Sequence, residues 1–228
     1  MKKLLLISII PFNVFASTIA IDVGHSLNSP GAISSYGETE FSYNKEMAMS
    51  IARHINQNNN RVNIIGYSGE PIKLEERSNL ANGSSLLISV HHDSIPIEDL
   101  SKWNYNGGEY LYNDNVSGFG VFVSTKNPNL EKSLKCAVNI ANNLIKAGFK
   151  PNYYHNQTKY GKKRELFFKN LPVYQYDNLV VLKKSTVPAI LIESGVIINR
   201  KEAVWIKDSD VRNSFGNAVS IGVQKCLE

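Results

Sequence analysis

Four side chains spread along the chain, His25, Glu40, His91 and Glu193, are of the types that hold a divalent cation and move a proton. Three of them close runs with strand character: Ile19-Ala20-Ile21-Asp22-Val23-Gly24-His25, Leu86-Leu87-Ile88-Ser89-Val90-His91, and Ala189-Ile190-Leu191-Ile192-Glu193. Glu40 opens a segment of helical period. Sites in open α/β sheets form at the carboxyl ends of parallel strands, so residues far apart in sequence can converge there. Two imidazoles and a carboxylate are a common catalytic zinc set with a fourth position left for water, and a second carboxylate can then carry protons. No short local motif such as H-E-x-x-H ties these residues together. The strand period alone does not choose between His91 and His92.

The elements that must position them follow from pattern. Ala48, Ile51, Ala52 and Ile55 share one helical face, with Thr39 as the expected cap and Glu40 in the first turn. A carboxylate there also suits the helix dipole, which is the plainer explanation of Glu40. Residues 61–67 read as a second strand, 73–82 as a helix and 86–92 as a third, central strand. Residues 119–124 alternate as a strand. Asn127-Pro128 reads as the cap and first turn of a helix whose apolar stripe is Leu130, Leu134, Ala137, Val138, Ala141, Leu144 and Ile145, ended by Gly148. Residues 188–193 form the last strand, and from Asp208 an amphipathic helix runs on Val211, Phe215, Ala218, Val219, Gly222 and Cys226. Strands alternating with helices predict a single α/β domain, a mostly parallel twisted sheet flanked by helices, with the metal site at the carboxyl edge.

Composition narrows the classes. The formal net charge is +5, part of it from Lys2 and Lys3, and no basic helix, finger or aromatic-basic groove motif accompanies it. Nucleic acid is therefore not an expected partner. Residues 1–16 have a positive start, an apolar run and Val14-Phe15-Ala16 as a small-residue cleavage site. They read as a secretory signal peptide, leaving 17–228 as the exported domain, in the periplasm or secreted, with no transmembrane segment in the mature chain. A bridge between Cys136 and Cys226 would suit an oxidising compartment. Both cysteines fall on apolar helical faces, however, and are read as two separate buried thiols.

Five stretches in this order carry a resemblance: Ile21-Asp22-Val23-Gly24-His25, the Gly37-x-x-Glu40 step, Leu74-x-x-Arg77-x-x-x-Ala81-Asn82, Leu87-Ile88-Ser89-Val90-His91, and Pro188-Ala189-Ile190-Leu191-Ile192-Glu193-Ser194-Gly195. Together they resemble the zinc-dependent N-acetylmuramoyl-L-alanine amidases of the amidase-3 type, from about Ile19 to the terminal helix. The resemblance implies one Zn2+ ion held by His25, Glu40 and His91, with Glu193 as catalytic carboxylate. It prefers His91 to His92. The substrate it implies is peptidoglycan, cut at the amide between N-acetylmuramic acid and L-alanine. The family's usual Asp-Pro-Gly-His-Gly-Gly stands here as Asp22-Val23-Gly24-His25-Ser26-Leu27, so a different path is expected for the loop after His25. A zinc peptidase acting within the stem peptide and a non-catalytic wall-binding protein on the same scaffold are the rival readings. A monomer is expected.

The remaining expectations concern loops and supporting residues. Residues 95–118 and 150–177 are long, aromatic loops, the second also basic, and loops of that length usually border a site. We expect 150–177 to bind substrate through Tyr154, His155 and Arg164. In related enzymes an inserted segment blocks the site until an activator protein displaces it, so an inhibitory lid is the competing reading. Asp22 is expected to orient a metal-bound imidazole as an outer acceptor, or to cap a turn. Arg77 is expected to hold loop structure through hydrogen bonds, His92 to be a supporting or core residue, and His54 to be solvated.

Overall fold

The computed structural model describes residues 16–228, so the expected leader lies outside the described residues apart from Ala16. The first half of the chain alternates regularly: β1 (Thr18–Val23), α1 (Glu40–Gln57), β2 (Arg61–Ile65), α2 (Leu74–Leu80) and β3 (Leu86–Asp93). A hairpin follows, β4 (Ser101–Tyr105) and β5 (Gly108–Tyr112), then β6 (Gly120–Val123) and α3 (Leu130–Lys146). The chain ends with β7 (Val173–Gln175), α4 (Val180–Lys184), β8 (Ala189–Val196), α5 (Arg200–Ile206) and α6 (Ser209–Leu227).

The six-stranded sheet has the order β2-β1-β3-β8-β6-β7. Strands β2, β1, β3 and β8 pair in parallel, whereas β6 joins β8 antiparallel and carries β7 parallel to itself. Strands β1, β3 and β8 are buried on both faces, which is why they are apolar almost throughout, whereas the edge strand β2 alternates and exposes Arg61 and Asn63. Alternation sorts their side chains. Ile19, Ile21, Ile88, Val90, Ile190 and Ile192 pack with α1, α3 and α6 in the larger core. Ala20, Leu87, Ala189 and Leu191 pack on the other face with residues of α4.

Several expectations change on this frame. The segment 95–118 is not a plain loop but contains the β4–β5 hairpin, turned by Asn106 and Gly107 at φ 48° and 79°. Both values lie in the left-handed region that a two-residue hairpin turn requires, and Asn-Gly is its favoured pair. Strand β7 and helix α5 are too short to show a period. Helix α3 starts two residues later than expected. The Asn127 amide instead donates to the carbonyls of Leu182 and Val187, tying the loop after α4 to the start of α3. The buried stripe of α3 runs through Ser133, Cys136, Ala137, Ile140, Ala141 and Leu144, leaving Ile145 exposed. His54 is half-buried, its Nε2 without a partner among the described residues, rather than fully solvated.

That rotation of α3 also corrects the reading of the cysteines, because Cys136 and Cys226 form a disulfide with a Cα–Cα distance of 4.8 Å. Helix α6 can approach this closely because it is glycine at the crossings. A Cβ on Gly222 would meet the Ile140 backbone at 2.6 Å, and one on Gly216 would meet the Ser50 backbone at 2.8 Å. The bridge spans 90 residues and constrains the unfolded chain accordingly. Reduction should therefore lower the stability by roughly 2–5 kcal/mol. Urea denaturation with and without reductant measures this. A Cys136→Ala/Cys226→Ala variant should show the same loss and no further response to reductant, and an unchanged midpoint on reduction would mean that the thiols are free.

Candidate metal centre

The first three candidate residues meet at the carboxyl edge of the sheet. Thr39 caps α1, its hydroxyl accepting from the Ser42 amide, so that Glu40 begins the helix at the dipole's positive end. The Glu40 carboxylate is then almost fully enclosed. Its Oε2 lies 2.9 Å from His25 Nε2, and its Oε1 lies 3.0 Å from His91 Nδ1. The Asn44 amide, one turn along the helix, donates to Oε1 at 3.2 Å, and the Ala32 amide donates to Oε2 at 3.1 Å. Burial on its own would raise the Glu40 pKa, but the bonds and charges of His25 and His91 outweigh it and leave the carboxyl well below its ordinary range.

One donor atom from each of His25, Glu40 and His91 lies within 4.8 Å of the others. Tetrahedral zinc with ligands at about 2.0–2.1 Å brings donors into this range. The surroundings are shaped to the triad. A Cβ on Gly24 would stand 2.4 Å from the His91 ring, and one on Gly31 would stand 2.4 Å from Glu40 Oε2 and 2.7 Å from the His25 ring. Gly31 also has φ 79°, so glycine is required there twice over. Two imidazole nitrogens, one carboxylate and this close cradle fit a zinc ion.

His25 itself has φ 72°, which is unusual for a residue with a side chain. It is held there by Arg77. The guanidinium donates to the carbonyls of Val23 (2.6 Å) and His25 (2.5 Å) and to Asp22 Oδ1 (2.6 Å). The Ser89 hydroxyl donates to the other Asp22 oxygen at 2.7 Å. Arg77 thus plays the structural part expected of it. Asp22 does not bond an imidazole, because the strand period points it to the face that α2 covers; it acts on His25 only through Arg77.

Glu193 occupies the register position beside His91 on the adjacent strand, so both side chains leave the same face of the sheet. Its Oε2 is buried and has no hydrogen-bond partner among the described residues. Burial, reinforced by the charges of Asp93 and Glu40, raises its pKa well above the usual carboxylate value. His92 points the other way, is 2 % exposed, and its Nδ1 lies 2.8 Å from Asn44 Oδ1. Burial pushes its pKa down to about 3. A neutral His92 holds the amide of Asn44 in the orientation that donates to Glu40.

The loop of residues 150–177 reaches the Glu193 side. His155 and Arg164 line a cavity of about 300 Å³ together with Glu193. Tyr154, by contrast, is buried with its hydroxyl bonded to Asp93, so it supports the loop rather than facing a ligand. Asp93 is the loop's anchor, accepting also from His155 Nε2 at 2.5 Å and from the Ser94 amide at 2.8 Å. Asn44 and Asp93 were not singled out from the sequence. Their signals were present, Asn44 being four residues after Glu40 on a helix and Asp93 following His91-His92 directly. The hairpin stands apart from this cavity, with Trp103 donating to the Ser35 carbonyl and packing edge-on to Tyr36.

Residues 19–225 match the N-acetylmuramoyl-L-alanine amidase family. A Buchnera aphidicola protein that bears a provisional N-acetylmuramoyl-L-alanine amidase name is 26% identical over 235 residues, covering 91% of this chain and 93% of its own. Among solved structures, an N-acetylmuramoyl-L-alanine amidase from Clostridium difficile 630 superposes with a TM-score of 0.71 at 21% identity, over 93% of this chain and 97% of that one. The CwlD amidase from Clostridioides difficile, solved in complex with the GerS lipoprotein, superposes with a TM-score of 0.68 at 18% identity, over 92% and 98%. At these identities the structures establish the fold.

Replacing Arg77 by methionine would leave the Asp22 carboxylate buried without its cation, at a cost of about 3–5 kcal/mol. Arg77→Met/Asp22→Leu should recover part of that stability but not the metal affinity, since the Val23 and His25 carbonyls still lack their donor. Thermal unfolding and metal titration of both variants separate the two effects. Parent-like metal affinity in the double variant would remove Arg77 from the support of His25.

Proposed function

The chain belongs to the N-acetylmuramoyl-L-alanine amidase family, matched over residues 19–225, and from that membership we propose a zinc-dependent hydrolysis carried by His25, Glu40, His91 and Glu193. The bond is the amide joining the lactyl group of N-acetylmuramic acid to the first alanine of the peptidoglycan stem peptide. His25, Glu40 and His91 would hold the ion. A zinc ion held there would supply Lewis-acid polarisation of the amide carbonyl and would acidify a water. Glu193 takes the proton that water gives up and delivers it to the departing alanine amine, leaving a lactyl carboxylate and a free amine as products. Burial first, and then the charges of Asp93 and Glu40, raise the proton affinity of Glu193.

The observation that supports this reading most is a juxtaposition. Three donor atoms gather within 4.8 Å, and a carboxylate with an oxygen unpartnered among the described residues stands at the register position next to one of them. Glu40 is saturated by its donors and suits a ligand, whereas Glu193 has an oxygen free for a water.

We also place residues 17–228 as the catalytic domain and 1–16 as an export signal, with function in the periplasm or outside the cell. The Cys136–Cys226 disulfide supports an oxidising compartment. No described helix is long and apolar enough to cross a membrane. The similarity to a protein solved with a lipoprotein partner leaves a place for an activator here too.

Metal analysis combined with mass spectrometry of digested peptidoglycan tests the proposal, which expects one zinc per chain and free lactyl-muramic ends. Cleavage confined to peptide bonds within the stem would refute it. Glu193→Gln should keep zinc and fold while kcat falls by about 10²–10⁴-fold, the usual contribution of a positioned acid-base group. Turnover within severalfold of the parent would end its assigned role. His91→Ala should abolish stoichiometric zinc, whereas His92→Ala should retain it. The reverse pattern would exchange the two histidines in the site.

A further inference from the structure

The triad and Glu193 lie between two cavities of different chemistry. The one on the Glu193 side, about 300 Å³, is bordered by Lys162, Arg164, His155 and Tyr176. The one on the other side, about 390 Å³, is bordered by His25, His91, Ser26, Ser29, Ile72 and Lys73. A substrate whose scissile amide sits between His25, His91 and Glu193 can extend one half toward each cavity. The difference in charge between the cavities indicates which half goes where.

Arg164 is held but not neutralised. Its guanidinium lies over the Tyr176 ring, 3.5 Å from the centroid, and its amide donates to the His155 carbonyl at 2.7 Å. The described residues give this guanidinium neither an ion pair nor a side-chain hydrogen bond. Lys162 also lacks an acidic partner among them. The acidic groups of the cavity do not compensate. Asp93 is saturated by donors from Tyr154, His155, Asn152 and the Ser94 amide, and Glu193 belongs to the reacting end. A planar cation fixed on an aromatic shelf, its donor edge unused, is arranged to receive a carboxylate. On the opposite side Arg77 is consumed by Asp22 and two carbonyls. The remaining cation there, Lys73, is solvent-exposed and not held by stacking.

The two halves of the substrate differ in the same way. On the glycan side the lactyl carboxyl is tied up in the amide, and the N-acetyl sugars are neutral. On the peptide side, the residue after alanine is acidic and, where it is not amidated, keeps a free carboxylate. Resting on the amidase reading above, we propose that Arg164, assisted by Lys162, binds that carboxylate, so that the stem peptide lies over the Glu193-side cavity and the muramyl sugar over the Ser26–Ser29 side. The aromatic-basic loop is then the peptide-recognition element of the enzyme. It selects stems by the charge of their second residue.

A matched pair of soluble muropeptides tests this: one with the free carboxylate on the second stem residue, the other with the same carboxyl amidated. The parent enzyme should prefer the acid over the amide by about tenfold in kcat/KM, with the difference mainly in KM, as for a charge-assisted hydrogen bond in a half-buried site. Arg164→Gln should bring the acid-to-amide ratio close to one. Tyr176→Leu, which removes the shelf and keeps the charge, should lower the ratio part-way. Zinc content and thermal unfolding of each variant report whether fold and metal site persist. If the parent does not discriminate, or Arg164→Gln keeps the full preference while still releasing lactyl-muramic ends, the carboxylate site is refuted and the amidase reading stands. If the parent releases no lactyl-muramic ends from either substrate, the amidase reading itself fails, and the inference with it.

Discussion

A carboxylate taken out of water has to be surrounded by donors, and Glu40 meets that condition by drawing together parts of the chain that otherwise have no reason to meet. Its two oxygens receive His25 from the exit of β1, His91 from the end of β3, Asn44 from the next turn of α1, and the Ala32 amide from the connecting loop. Removing any of these partners would strand a buried charge, so the arrangement is cooperative. The same geometry that satisfies the carboxylate gathers three donor atoms at one point. A folding requirement and a candidate metal site are here one construction.

Support for this point comes from both faces of the sheet. On the α1 face, His92 fixes the Asn44 amide, which in turn donates to Glu40. On the opposite face, Arg77 and Asp22 form an ion pair whose side chains are 3% and 1% exposed, and the guanidinium continues to the carbonyls that set the turn at His25. A buried pair of this kind is weak evidence for stability but a strong constraint on geometry. It keeps His25 at a positive φ, from which its ring reaches Glu40.

The reversal of direction in the sheet explains why Glu193 lies in a cavity rather than at an open edge. Beyond β8 the chain adds β6 antiparallel and β7 parallel to it. That extension carries the loop before β7 back over the carboxyl ends of β3 and β8. Asp93 then ties the loop down through Tyr154 and His155. The outcome is a pocket wall rich in cations facing a buried acid. The disulfide between α3 and α6 fastens the layer beneath these strands and leaves the pocket wall itself to the loop.

The amino-acid sequence by itself determined the alternation of strands and helices, the face each buried strand residue takes, and the strand ends that deliver His25, His91 and Glu193. Those are local consequences of β-branched content and of the turn signals that bound each run; a continuous apolar run has no period of its own, which is why His91 and His92 stayed undivided by pattern alone. It also determined the cap at Thr39, which puts Glu40 at a helix start. The tertiary structure decided the rest. Whether Cys136 and Cys226 pair depends on the crossing of α3 and α6 that Gly222 allows, and no spacing rule reports a crossing. Asp22 is claimed by Arg77 rather than by an imidazole because α2 folds over its face of the sheet. Within one loop Tyr154 turns inward to the carboxylate that Asp93, distant in sequence, offers it, while Arg164 stacks on Tyr176 at the cavity. Each of these outcomes is a competition among partners that only the folded chain brings within reach.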